Sequence, residues 1–251
     1  MAGRHIALDF SGSEIVICPS KARHANVATF VEGFPLTSTS EALRLAEMLC
    51  ARLCHDLSSL LGSLLGVVEI AREEQPDSET LTLAEETAVE LGQRLKLLRA
   101  AWAMDEETLD VAQLQTFVDS LSSNRRLRLD LGGLEPEAMF PPTTARVTLN
   151  ILLLAAESLP AGGAIALSGS PASNLLCTIA GHRAAWPTGF ASYLADEKAA
   201  WSAVTMDARK LQAPLTALLA REHGFRLSLL MGTGTQGSDS AAPPLMLSVG
   251  N

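Results

Sequence analysis

Apolar residues recur through the stretch from Glu41 to Glu74 at Leu45, Leu49, Leu53, Leu57, Leu60, Leu64, Val67 and Ala71. Steps of three and four sustained this long predict one helix with a buried stripe. Ser38-x-x-Glu41 opens it as a capping box, and Pro76 closes it. At 1.5 Å per residue such a helix is roughly 50 Å long, so it needs another long helix against it. The next segment supplies one. Leu81, Ala84, Ala88, Leu91, Leu95, Leu98 and Trp102 repeat the same steps between Glu79 and Met104. The short turn between them, residues 75–78, predicts an antiparallel hairpin. Cys54, Leu61, Leu65 and Val68 form a second stripe on the first helix, which one hairpin cannot cover. Two hairpins from two copies would bury it in a four-helix bundle, so a homodimer is expected. The alternative is that the rest of the chain folds back over it.

Beyond the hairpin the pattern alternates. A helix is predicted from Leu109 to Ser122. Leu127, Leu129 and Leu131 against Arg126, Arg128 and Asp130 read as a half-buried strand. Pro141-Pro142 starts a helix running to Leu159, since proline is tolerated in a first turn. Gly162-Gly163 precedes a strand from Ala164 to Ser168, and Leu175 to Ala180 pairs with it. The stretch from His182 to Met206 gives no clear pattern. A helix from Asp207 to His223 ends at Gly224 as its C-cap, and Phe225–Met231 with Leu245–Val249 form a last hairpin. The fold class is therefore α+β: a long helical hairpin followed by an α/β sandwich with its sheet covered on one face. Three regions result: a leader over 1–37, the hairpin over 38–105 and the α/β domain over 106–251. The leader holds short alternating runs at Ile6–Phe10, Glu14–Cys18 and Val27–Val31.

Composition narrows the function. The chain has 251 residues, 47% of them hydrophobic, enough to bury two cores. A net charge of −9 and the lack of a Lys/Arg run argue against nucleic acid as a partner. The apolar run from Val147 to Ala156 is far too short to span a membrane, and the first ten residues show no signal peptide. A cytoplasmic location is expected. The four cysteines, Cys18, Cys50, Cys54 and Cys177, lack zinc-like spacing and read as buried free thiols. His182 and His223 have no nucleophile elbow near them, so a hydrolase triad is not indicated. His223 at a helix C-terminus reads as a favourable charge on the dipole.

His55 stands apart. On a helix it lies roughly 160° from both Leu53 and Leu57, off the buried stripe. Its own face carries Arg52, Ser59, Gly62, Ser63 and Gly66. An interior glycine costs about 1 kcal/mol relative to alanine, so two on one face with two serines keep that surface low. Such a face either admits a flat partner to the imidazole or lets another helix pack closely.

Arg52, Cys54, His55, Asp56, Leu57, Ser59 and Gly62 together resemble the phosphoacceptor helix of the ChpT-type histidine phosphotransferases of alphaproteobacteria. Ala155, Ala156, Glu157, Leu159, Pro160, Gly162 and Gly163 match the same family, as do Gln212, Pro214, Leu218, Leu219 and Ala220. The segment after Ser59 departs from the family pattern, with Leu60 in place of a proline, Leu65-Gly66 in place of x-Asn, and Val67 in place of a glycine. The resemblance implies a dimer with a kinase-like helical hairpin and a degenerate histidine-kinase ATPase-like domain. It implies that His55 relays a phosphoryl group between receiver-domain aspartates. Asp56 would hold its Nδ1 proton, unless it is merely an ion-pair partner of Arg52. A receiver would dock on Arg52, Ser59, Gly62, Ser63 and Gly66. The donor would be the receiver of a hybrid histidine kinase and the acceptor a response regulator. Mg²⁺ would sit on the partner, and this chain would bind no cofactor. The helix of Asn150 resembles the kinase helix with two asparagines four apart, but the second, metal-holding position is Leu154, which has no oxygen for a hard cation. The Asp-x-Gly-x-Gly adenine motif is also missing, with Gly181-His182-Arg183 in that place. Gly232 to Gly237 opens no helix and reads as a hairpin tip rather than a phosphate loop. The rival expectation, resting on the altered Leu60–Val67 segment, is a non-catalytic dimeric adaptor for receiver domains.

Overall fold

The computed structural model describes residues 39–73, 78–103, 107–122, 126–230 and 242–249. The leader, the Ser38 cap, Pro76 and the Gly232–Gly237 loop lie outside the described residues. What is described belongs to one compact unit, Ser38–Asn251.

Helix α1 is Thr39–Glu73 and α2 is Ser78–Trp102. Leu45, Leu49, Leu53, Leu57, Leu60, Leu64, Val67 and Ala71 are all at least partly covered, and the two helices pack along each other. At its C-terminal end α2 sinks Leu97, Leu98 and Ala101 into the core of the α/β part. Leu45, Met48 and Leu49 of α1 pack on Val204, Leu211 and Leu215. The hairpin is thus rooted at one end. At the other, the second stripe stays in water, with Leu61 47%, Leu65 60% and Val68 42% exposed. The α/β part does not fold back over it. Over Ser40–Arg72, α1 also meets the length and composition of a membrane span, a likeness that the run at Val147–Ala156 did not suggest. That stretch packs along α2 and carries the ion pair of Arg52 with Asp56, so the likeness is weak.

After α2, Leu109–Asp110 is a short strand, β1, rather than the start of a helix. It pairs with β3, Met139–Phe140. Asp110 then caps α3, Val111–Ser122: its Oδ1 accepts from Gln113 N at 2.7 Å, and Gln113 Oε1 accepts from Asp110 N at 2.9 Å. This reciprocal box moves the helix start two residues past Leu109. Strand β2 is Leu127–Leu134, α4 is Pro142–Glu157, β4 is Gly163–Gly169 and β5 is Asn174–Ala180. The unclear stretch holds two helices, α5 (Phe190–Ala195) and α6 (Glu197–Val204). The predicted helix from Asp207 is broken. Asp207 caps a 3-10 turn, Ala208–Lys210, before α7, Gln212–Glu222. Strands β6 (Phe225–Leu229) and β7 (Leu245–Val249) complete the sheet.

The sheet order is β2-β4-β5-β7-β6, antiparallel except for the parallel pair β2–β4, which α4 connects. Ile165, Leu167, Leu175, Cys177, Ile179, Leu245 and Leu247 point into the helical layer, while their alternate neighbours are half-covered or exposed. The sheet is covered on one face, as the alternation predicts. Gly163 makes the entry to β4 possible. Its φ is +151°, and a Cβ there would lie 2.4 Å from the Ala180 carbonyl oxygen.

Candidate functional site

Consecutive helical residues diverge by about 100°, and His55 and Asp56 use that divergence. The His55 side chain is 59% exposed, whereas Asp56 is 8% exposed and turned toward the hairpin seam. They still touch, with His55 Nδ1 at 3.3 Å from Asp56 Oδ1. Asp56 has two guanidinium partners. Arg52 Nε lies 3.0 Å from Oδ1 and 3.1 Å from Oδ2, and Arg94 Nη2 of α2 lies 3.2 Å from Oδ2. Burial alone would raise the Asp56 carboxyl, but Arg52 and Arg94 outweigh it and hold it below the ordinary carboxylate range. The carboxylate is ionised and accepts only, so Nδ1 of a neutral imidazole facing it carries the proton. Nε2 is then left with a lone pair.

Arg52 corrects the sequence reading. It is 7% exposed and offers no free charge to a docking partner. Its fork is spent inside the protein: Nη2 donates to Glu157 Oε1 of α4, and Nη1 donates to the Arg209 carbonyl at 2.5 Å. Burial opposes the Arg52 charge, but Glu157 and Asp56 more than compensate and raise its pKa. The surface ion pair expected of Arg52 and Asp56 is real, but it is buried and branched. Ser59, Gly62, Ser63 and Gly66 do lie exposed along α1, as expected. No atom comes within 4 Å of a Cβ placed on Gly62 or Gly66. Ser63 turns its hydroxyl back onto the Ser59 carbonyl at 3.1 Å, so that face is low. Leu60 is half-covered and Val67 buried, so these two departures from the family pattern lie on the packed stripe rather than this face.

Beside His55 opens a cleft of about 650 Å³ between α1 and the α/β part. Arg209, Lys210, Thr188 and Tyr193 line it along with Glu157. Sequence reasoning singled out none of Arg94, Arg209, Lys210 and Tyr193 for this site, and knew Glu157 only as a family match. Arg94 carries one legible signal, a charge three residues after Leu91 and four before the buried Leu98, on the packed side of the hairpin helix. On the cleft side of the α/β part, Thr188 and Tyr193 fall in the stretch from His182 to Met206, which has no periodicity to place it, and Arg209 and Lys210 fall where a 3-10 turn breaks the predicted helix.

Elsewhere, Asn150 is fully buried and commits its amide internally. Nδ2 donates to the Ala101 carbonyl at 2.7 Å and to the Arg146 carbonyl at 2.9 Å, and Oδ1 accepts from Gln212 Nε2 at 2.9 Å. Leu154 is likewise fully buried. Cys177 is buried, which pushes its thiol up to about 12, but Cys50 and Cys54 are exposed, contrary to expectation, because they lie off the packed stripe. His223 is not the dipole-stabilised cation expected. Burial and then Arg146, 3.4 Å away, push its pKa down. Among the described residues no group of three or more His, Cys, Asp or Glu side chains is arranged to hold a metal ion.

Comparison with known proteins agrees with this layout. Residues 111–234 match the model of the histidine phosphotransferase C-terminal domain. A curated relative, the protein phosphotransferase ChpT of Brucella abortus (strain 2308), is 27% identical over 200 residues, which cover 77% of this chain and 93% of the relative. A solved structure of a bacterial phosphotransferase superposes with a TM-score of 0.63 at 24% identity, covering 85% of this chain and 98% of that one, and so shares its fold. The chain resembles the ChpT-type histidine phosphotransferases through both its helical hairpin and its α/β part.

Proposed function

We propose that His55 is the phosphoacceptor, and that it carries a phosphoryl group from the aspartate of one receiver domain to that of another. The observation that supports this most is the pairing of an exposed imidazole with a buried, ionised carboxylate at Nδ1. In the forward step the Nε2 lone pair forms the N–P bond. The P–O bond of the incoming aspartyl phosphate breaks, and its electron pair leaves with the partner's carboxylate. The Nδ1 proton stays on the ring, and Asp56 offsets the positive charge the ring acquires. Return to a second receiver reverses these events. Positioning carries most of the catalysis, since phosphoryl transfer asks little covalent chemistry of the protein.

The receiver docks on Ser59, Gly62, Ser63 and Gly66, where only small side chains separate it from the α1 backbone. Mg²⁺ belongs to the receiver. This chain binds no nucleotide, because Asn150 is occupied and position 154 is a buried leucine. The working form is a cytoplasmic homodimer whose four-helix bundle buries Leu61, Leu65 and Val68. The adaptor reading draws little support, since Leu60 and Val67 lie on the packed stripe, and Gly66, the altered position on the docking face, leaves the His55–Asp56 pair in place. The test is to incubate the protein with labelled ATP alone, then with a phosphorylated receiver. Acid-labile label on His55 is expected only in the second case.

A further inference from the structure

Resting on the reading of His55 as phosphoacceptor, we propose that Arg94 and Glu157 are positioning residues for the transfer: they set the Asp56 carboxylate, and through it the tautomer and orientation of His55. Four charged side chains from three helices run in line as Glu157, Arg52, Asp56 and Arg94. The two Asp56 oxygens are used differently. Oδ2 takes Arg94 at 3.2 Å, while Oδ1 faces His55 at 3.3 Å. A carboxylate with one partner turns broadly about its last torsion. Arg94 on one side and the Arg52 Nε across both oxygens remove that freedom, so Oδ1 stays presented to Nδ1. Arg52 would itself swing on its long stem, but Glu157 and the Arg209 carbonyl hold the far side of its fork.

The ladder is not what roots the hairpin in the α/β part. Buried ion pairs are weak stabilisers, because desolvation offsets much of their attraction. The hairpin is already rooted by Leu97, Leu98 and Ala101 in the α/β core. Glu157 stands at the end of α4, so the imidazole takes its working geometry only while the α/β part is seated on the hairpin. This gives the α/β domain a part in the transfer although the reacting atom lies on α1.

The full chain is prepared as Arg94→Met, Arg94→Lys, Glu157→Gln and His55→Ala. The ¹⁵N chemical shifts of His55 report the tautomer, and single-turnover acceptance from a phosphorylated receiver is followed across receiver concentrations. Wild type and Arg94→Lys should hold the Nδ1–H form. Arg94→Met and Glu157→Gln should shift toward a mixture, and the saturating rate should fall about ten- to a hundredfold with the half-saturating receiver concentration unchanged. A ladder that only docks the two parts would leave the tautomer unmoved. The proposal is overturned if Arg94→Met and Glu157→Gln both keep the wild-type tautomer and saturating rate. If His55→Ala still accepts phosphate, the phosphoacceptor reading itself fails, whatever the tautomers show.

Discussion

Replacing Leu61 and Leu65 with glutamate tests the bundle. In the single protomer the two leucines are 47% and 60% exposed, and Val68 is 42% exposed. Fully burying such a side chain is worth about 1.5–3 kcal/mol, so the half still in water is worth about 1 kcal/mol per residue. Across both copies the three positions then contribute about 6 kcal/mol to association. A dimer of micromolar affinity needs about 8 kcal/mol net, after the cost of immobilising two chains, so these positions are a large share. Glutamates at Leu61 and Leu65 would lose about 4 kcal/mol of that share and add unpaired carboxylates to a closing interface. The double variant should sediment as a monomer at concentrations near 100 µM, roughly a hundredfold above where wild type dimerises. Its far-UV circular dichroism should match wild type, because neither side chain is buried within the protomer. A variant that sediments with wild type, or a wild type that is monomeric at micromolar concentration, refutes the intermolecular bundle.

Arg52→Ala should destabilise the protein by about 2–3 kcal/mol in chemical denaturation, since it takes a buried guanidinium partner from both Asp56 and Glu157; a loss under 1 kcal/mol would return Arg52 to the surface. Asp56 contributes stability that is present above its unfolded value near 3.8 and is lost as pH falls through its lower folded value. Asp56→Asn should therefore be less stable than wild type at neutral pH but lose less on acidification below pH 4, read by parallel denaturant curves; equal slopes would deny the pairing. Asn150→Leu leaves the Ala101 carbonyl and the Gln212 amide short of a partner and should cost about 2–5 kcal/mol, while isothermal calorimetry with Mg-ATP should show no binding in either protein. Saturable, Mg²⁺-dependent binding would overturn the degenerate-domain reading. Gly62→Leu should weaken transfer while the melting temperature holds, because the site is open; unchanged transfer would move the docking face elsewhere.

Much of this was legible where periodicity alone decides. The eight stripe positions of α1 and the alternation of β4 and β5 place themselves, since each needs only its own neighbours in sequence. His55 was legible for the same reason, as the residue off the stripe beside small ones. Arg52 was not. Its exposed place on the helix wheel is overridden by Glu157, 105 residues away, and by a carbonyl of the 3-10 turn. Helices α5 and α6 were missed because six and eight residues are too few to show a period. The β1 strand was read as helix because its two residues abut α3 without a break, and only the Asp110–Gln113 box marks the boundary.

The central claim is that the phosphoryl group passes through the His55 imidazole. Its most direct test mixes a labelled, phosphorylated receiver with wild type and with His55→Ala, and follows acid-labile label on this chain by gel. Alanine is the best helix former and His55 is exposed, so the variant should melt within a few degrees of wild type. Wild type should take up label and lose it to a second receiver, and His55→Ala should take up none. Label on a well-folded His55→Ala, passed on to the second receiver, would contradict the account.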